Sequence, residues 1–146
     1  MAVRWQQERR NKPTDASGGA GQEWRCAVNG RSPVSRGLLA IACLMGAAGV
    51  AAAAAGAHGG GDLLAPASLL LLVHAVAILA LGGLVGDAPL GLVAIAGLAA
   101  GSILFAGDMT MRTWYGAALF PMAAPIGGST AILAWLLAAA AVLRRR

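Results

Sequence analysis

Charged residues are scarce in this chain. Asp, Glu, Lys and Arg make up 12% of its 146 residues, whereas hydrophobic residues make up 58%. The charged share is about half that of an average soluble domain. A single soluble domain cannot hide so much apolar surface from water. The composition therefore argues against an ordinary soluble protein and indicates one that lies in a membrane.

Cysteines and recognisable catalytic motifs are also scarce. Of the two cysteines, Cys26 lies in the amino-terminal segment and Cys43 in an apolar run, and neither has a metal-binding partner close in sequence. This pattern indicates neither a disulfide framework nor a zinc site. The sequence has no recognisable catalytic triad, no G-x-S-x-G, no phosphate-binding Gly-Lys loop and no Cys-x-x-Cys. We therefore expect that the protein is not an enzyme and carries no cofactor.

Basic residues are confined to the two ends of the chain, with one exception. All but one of the 11 lie before Gly37 or after Leu143, and the exception is Arg112. Basic residues that flank apolar runs orient a protein in a membrane. This explains the net charge of +5 better than nucleic-acid binding does, so we expect no nucleic-acid partner.

Four apolar runs are long enough to be transmembrane helices: residues 37–57, 64–85, 90–106 and 125–143. The first forms ~31 Å of helix at ~1.5 Å per residue, which crosses the ~30 Å hydrocarbon core. The pattern predicts an all-α fold, a four-transmembrane-helix bundle in one membrane domain, residues 37–146. A cleaved signal peptide is the alternative for the first run, but the run is longer than the apolar region of such peptides.

Residues 1–36 form a separate polar and basic segment. They are rich in turn formers and show neither helical nor strand periodicity, which predicts a disordered cytoplasmic tail. The alternative is a translation start at Val28 or Val34, in which case most of this tail is not made.

The charges also predict how the bundle is oriented. The basic tail and the terminal arginines 144–146 both favour the cytoplasmic side, and four crossings return the chain to the side on which it started. Between the third and fourth runs, residues 108–124 contain Trp114 and Tyr115, which favour the headgroup layer. We expect this segment to lie along the membrane surface.

Ionisable residues inside apolar runs are costly and therefore suggest function. His74 is the deepest of them, about ten residues into the second run. We favour an interhelical hydrogen bond as its role over a proton or metal site. His58 follows the first run, and a small metal site with Asp62 is a weaker hypothesis because two ligands on a glycine-rich loop are few.

An acidic and a basic residue follow the third run. If the third helix continues past Gly107, Asp108 and Arg112 stand one turn apart and can form an ion pair. We favour a structural role for this pair over substrate binding.

Small residues and a proline open the fourth run. Pro125 suits the first turn of a helix. Gly127 and Gly128 allow either the close approach of another helix or a break, and broken helices are typical of transporters. Glycine pairs at 82/86 and 97/101 add further small faces on which helices can pack.

Four segments together resemble a known family: "MGAAGVAAAAAGAHGGG", "HAVAILAL", "LFAGDMTMR" and "LFPMAAPIGGSTAILAWLL". The chain from about residue 38 to residue 143 resembles the YgdD-like family of small bacterial integral membrane proteins, a domain of unknown function. The positions that match its motifs are Gly56, Ala57, His58, His74, Phe105, Gly107, Pro125, Gly127 and Gly128. Asp108 departs from the family pattern, because many members have Ser there. The resemblance implies four helices in the bacterial inner membrane, and it implies no established activity.

Two hypotheses for function follow. The first is a non-enzymatic accessory or structural membrane protein, whose partners are the lipid bilayer and either further copies of the chain or another membrane protein. The alternative is a small oligomeric proton-coupled transporter or channel. Small multidrug exporters have a similar size, but they need an acid in the first span, and residues 37–57 contain none.

Overall fold

The computed structural model describes residues 32–59, 61–85 and 88–144. These residues form four helices, α1 (Pro33–Ala57), α2 (Leu64–Val85), α3 (Pro89–Tyr115) and α4 (Ala123–Leu143). No strand occurs in these ranges, and the predicted all-α, four-helix fold is confirmed. The predicted disordered tail lies mostly on residues 1–31, outside the described residues, while residues 33–36 belong to α1.

α1 begins at a proline, four residues before the predicted run. Ser32 caps the helix, because its Oγ accepts a hydrogen bond from the Ser35 backbone N–H at 3.2 Å. Pro33 stands in the first turn, where its missing N–H needs no partner. The helix ends at Ala57, after which Gly59 adopts a φ of 91°.

α3 is the longest described helix and continues beyond the predicted run, which ended at residue 106. Its 27 residues correspond to ~40 Å. The helix ends at Gly116, which adopts the left-handed conformation with φ 67° and donates its N–H to the Arg112 carbonyl at 3.1 Å. The segment predicted to lie along the membrane surface, residues 108–124, thus includes the last two turns of α3, the connection 116–122 and the start of α4.

Helices that are neighbours in sequence are also neighbours in space. α1 packs on α2, α2 on α3 and α3 on α4, whereas the α1–α3 and α2–α4 contacts are much smaller and α1 scarcely meets α4. The outer helices α1 and α4 are accordingly less buried than α2 and α3. The apolar core draws on all four helices and includes Ala42, Met45, Leu71, Ile78, Ile95, Leu98, Ala134 and Ala138.

The backbones of α3 and α4 touch at two glycines. A β-carbon on Gly101 would lie 2.7 Å from the Gly127 carbonyl oxygen, and one on Gly127 would lie 2.7 Å from the Phe105 nitrogen. Any larger residue at either position would force the two backbones apart. Of the two predicted glycine pairs, 97/101 lies in this contact. Gly82 of the other pair is buried, and Gly86 lies outside the described residues.

All four helices are long and apolar enough to cross a membrane. Their outer faces expose large apolar side chains, including Leu44, Val76, Val93 and Leu133. Such surfaces are unfavourable in water but face lipid without cost in a bilayer. The fold therefore indicates a multi-pass membrane protein.

Candidate functional site

The predicted site residues fall into two groups. His74 lies midway along α2, whereas the other six lie at the end of the bundle that carries the α1–α2 and α3–α4 connections. The α1–α2 connection lies against the last turns of α3 there, because a β-carbon on Gly61 would lie 3.5 Å from Thr113 Cγ2.

His74 is buried, and both of its ring nitrogens have a partner. Nδ1 lies 2.8 Å from the Leu70 carbonyl oxygen, and the Trp135 indole Nε1 lies 3.2 Å from Nε2. A carbonyl only accepts and an indole N–H only donates, so the hydrogen bonds require the neutral tautomer with the proton on Nδ1. Trp135 was not among the residues singled out from the sequence.

The Trp135–His74 bond joins two helices that otherwise touch little. α2 and α4 share one of the smallest interfaces in the described bundle. The two rings lie 6.1 Å apart between centroids and are tilted by 60°. Because Trp135 occupies the Nε2 lone pair, His74 has no free lone pair with which to bind a metal. The arrangement is the interhelical hydrogen bond favoured from the sequence, and it would have to open before His74 could take part in proton or metal chemistry.

Asp108 and Arg112 form an ion pair across one turn of α3. Arg112 Nε donates to Asp108 Oδ2 at 2.7 Å. The Asp108 side chain is fully buried, whereas the Arg112 side chain is 41% exposed. The sequence predicted this ion pair on the condition that the third helix continues past Gly107. α3 does remain helical there, so the two side chains stand one turn apart.

The second oxygen of Asp108 ties α3 to the connection that follows it. The Leu119 backbone N–H donates to Oδ1 at 2.8 Å, and the Ala124 backbone N–H in the first turn of α4 also faces this carboxylate. Met122, the residue that precedes α4, makes no side-chain capping hydrogen bond. Asp108 therefore supplies a negative charge at the positive end of α4, a role that a capping side chain usually fills.

The site residues of α4 lie in its first two turns. Pro125 lies in the first turn of α4, where its missing N–H needs no hydrogen-bond partner. Gly127 is buried in the contact with α3, whereas nothing lies within 4 Å of a β-carbon built on Gly128. The sequence allowed either a close approach of another helix or a break at these glycines. α4 is continuous through both, so the structure has the close approach and no break.

His58 and Asp62 are exposed on the α1–α2 connection. His58 ends α1, and its backbone N–H donates to the carbonyls of Ala54 and Ala55. In the described part of the chain, no group of three or more His, Cys, Asp or Glu side chains gathers in a geometry that could hold a metal ion. The small metal site proposed for His58 and Asp62 gains no third ligand from this arrangement.

Four hydroxyl side chains within α3 and α4 also form local hydrogen bonds. The hydroxyls of Ser102, Thr110, Thr113 and Thr130 each donate to the carbonyl four residues earlier. Among residues 32–59, 61–85 and 88–144, no buried side-chain nitrogen or oxygen lacks a hydrogen-bond partner.

Two grooves on the outside of the bundle are mainly apolar. One, of about 440 Å³, lies between α3 and α4 along Val93, Gly97 and Leu137. The other, of about 420 Å³, lies between α1 and α3 over Leu71 of α2. Neither is lined by an ionisable side chain.

Comparison with known proteins identifies the family. A search of the curated proteins and a search of the solved structures gave no match. A family model described as "Protein of unknown function (DUF423)" matches residues 52–128, just over half of the 146 residues and the range that holds all seven predicted site residues. YgdD-like is another name for this family, so the resemblance seen in the sequence is confirmed. The chain therefore belongs to the DUF423 family of proteins of unknown function.

Proposed function

We propose that the protein is a non-enzymatic structural or accessory protein of the bacterial inner membrane. The observation that carries the proposal is the internal pairing of its buried polar side chains. His74 is bonded at both ring nitrogens and Asp108 at both carboxylate oxygens. Side chains that are satisfied in this way hold helices together and leave no open group for a substrate.

Proton transport through His74 would first have to break a hydrogen bond. A proton added at Nε2 would point at the Trp135 N–H, so two donors would face each other. Separating them means turning the Trp135 indole away from His74 or moving α4 relative to α2. The mainly apolar walls of the two outer grooves also offer no second ionisable group to receive the proton. These features favour the structural role over the oligomeric transporter or channel.

The orientation that we propose places both termini in the cytoplasm. Arg36 in α1 and Arg144 after α4 are exposed, and the order of the four helices puts both at the same end of the bundle. Basic residues at the membrane border favour the cytoplasmic side. Within the described residues, the opposite end carries one arginine, Arg112, and it is paired with Asp108.

A flux measurement separates the two hypotheses. The full chain is reconstituted into liposomes that contain a pH-sensitive dye, and a proton gradient or a membrane potential is applied. We expect the rate of pH change to equal that of empty liposomes for the wild type and for His74→Ala. The matched control is His58→Ala, which changes the exposed histidine. Proton flux in the wild type that His74→Ala abolishes and His58→Ala retains would establish the transporter instead.

A second measurement addresses the accessory role itself. The protein is solubilised from its native membrane in mild detergent and purified by a tag, and co-purifying proteins are identified by mass spectrometry. An accessory subunit brings the same membrane protein with it in repeated preparations. Recovery of the chain alone, or only as copies of itself, would instead favour a self-contained structural protein.

A further inference from the structure

The last turns of α3 carry a partly exposed arginine at the depth of the lipid headgroups. α3 has 27 residues and is ~40 Å long, whereas the hydrocarbon core is ~30 Å thick. If Pro89 lies at one border of the core, about the last two turns extend past the other. Trp114 and Tyr115 in these turns are 64% and 73% exposed, and both residue types favour the headgroup layer. Arg112 lies at the same level.

Asp108 fixes the orientation of the Arg112 guanidinium. The buried carboxylate takes the Nε–H at 2.7 Å and is itself held by the Leu119 backbone N–H at 2.8 Å. A guanidinium is planar and has five N–H groups in a rigid arrangement. Its four terminal N–H groups have no hydrogen-bond acceptor within the described part of the chain. An arginine that is oriented by a fixed acid in this way presents its outer edge with little loss of side-chain freedom.

The charge of Asp108 is not balanced by Arg112 alone. The carboxylate also faces two backbone N–H groups, that of Leu119 in the connection and that of Ala124 in the first turn of α4. These groups and the positive end of the α4 dipole share in balancing the acid. The Arg112 guanidinium can therefore still attract a second anion. The other ionisable side chains described at this end are those of His58, Asp62 and Tyr115.

We propose that the outer edge of Arg112 binds the phosphate of a phospholipid headgroup. A guanidinium matches phosphate oxygens through two parallel hydrogen bonds, and phosphates are the anions that every bilayer presents at this depth. The inference requires only that α3 spans the membrane. It is independent of whether the protein is an accessory subunit or a transporter.

Native mass spectrometry of the full chain in detergent tests the proposal, with phosphatidylglycerol as the titrated lipid. Arg112→Gln should reduce lipid retention by about threefold, the size expected for a partly exposed charged contact. Arg112→Lys should show a smaller reduction, because it keeps the charge and a partner for Asp108 but loses the two-pronged geometry. Arg144→Gln, which changes an exposed arginine at the opposite end, is the matched control and should retain lipid as the wild type does.

Four outcomes would overturn the proposal. Equal retention by Arg112→Gln and the wild type would show that Arg112 does not hold the lipid. An equal loss in Arg144→Gln would show a general attraction of anionic lipid to a basic protein. Binding of inorganic phosphate alone, with a strength that also depends on Arg112, would identify a free phosphate as the ligand. If Arg112→Gln does not fold, Arg112→Lys provides the test. Lipid retention by Arg112→Lys equal to that of the wild type would then contradict the proposal.

Discussion

At the scale of single residues, the Trp135–His74 bond yields a measurable coupling. Trp135→Phe keeps an aromatic ring but removes the N–H that His74 Nε2 accepts. We expect a double-mutant cycle with His74→Ala to give a coupling of about 0.6 kcal/mol, the average for hydrogen bonds between membrane helices. The free energy of unfolding is measured by titration with a denaturing detergent.

The control for this cycle is a second tryptophan. Trp114 is 64% exposed at the end of α3, so Trp114→Phe combined with His74→Ala should be additive. A coupling near zero for Trp135, or an equal coupling for Trp114, would contradict the assignment of the hydrogen bond.

Asp108 should be the ionisable side chain whose loss costs most. Asp108→Ala leaves the Leu119 N–H and the Arg112 Nε–H without their acceptor, and we expect a loss of about 2 kcal/mol in the free energy of unfolding. Asp108→Asn keeps an oxygen for Leu119 and should lose less. Detergent-induced unfolding measures both changes.

The matched control for Asp108 is the exposed acid on the α1–α2 connection. Asp62→Asn should change the free energy of unfolding by less than about 0.5 kcal/mol, as is usual for exposed positions. If Asp108→Ala proved as mild as Asp62→Asn, Asp108 would not hold α3 to the start of α4.

The sequence predicted part of each of these sites. The cost of a histidine in an apolar run pointed to a hydrogen bond for His74, but the partner lies 61 residues away and on a helix that α2 barely touches. Trp135 did carry a signal, since an indole N–H inside an apolar run has no water to bond to in a bilayer and also needs an acceptor. The Leu119 N–H carried none, because every residue except proline has one.

At the scale of the helices, the contact between α3 and α4 depends on two glycines. Gly101→Ala and Gly127→Ala would each place a β-carbon within 3 Å of backbone atoms of the facing helix. We expect each to lower the free energy of unfolding by about 1–3 kcal/mol, because backbone cannot move aside as a flexible side chain can. Unfolding in detergent measures the loss.

Two neighbouring glycines supply the controls for this prediction. Nothing lies within 4 Å of a β-carbon on Gly107 of α3 or Gly128 of α4. Gly107→Ala and Gly128→Ala should leave the stability unchanged or raise it by up to about 1 kcal/mol, since Ala favours helix over Gly. Similar losses at all four glycines would mean that packing of the helix surfaces against lipid, and not the α3–α4 contact, sets the effect, because helix propensity alone predicts a gain for each change.

The ends of the helices were harder to predict than their centres. Hydropathy located the apolar part of each helix but not the turns that extend past it. α3 continues to Tyr115 through Asp108, Thr110 and Arg112, because helical hydrogen bonds form between backbone groups whatever the polarity of the side chains. For α1 a signal existed, since Ser32 followed by Pro33 is a typical helix start.

At the scale of the whole molecule, the order of the helices puts the polar groups at defined depths. Four helices that pack in sequence place the two connections at 58–63 and 116–122 at one end of the bundle and the two chain ends at the other. This arrangement places His74 midway across and the Asp108–Arg112 pair at the membrane border. The composition predicted the class of protein, since nothing but a bilayer accommodates so apolar a chain. The composition could not predict that each helix packs mainly on its neighbours in sequence, because that depends on which helix faces meet.

Four crossings of the membrane place each connection and each chain end on a defined side, and reporter fusions in bacterial cells test this directly. Alkaline phosphatase, active outside the cytoplasm, and green fluorescent protein, fluorescent inside it, are fused after Gly59, Ala88, Ala118 and Arg146. We expect phosphatase activity at Gly59 and Ala118 and fluorescence at Ala88, at Arg146 and for an amino-terminal fusion. Termini on opposite sides of the membrane, or Ala88 and Ala118 on the same side, would contradict the four crossings.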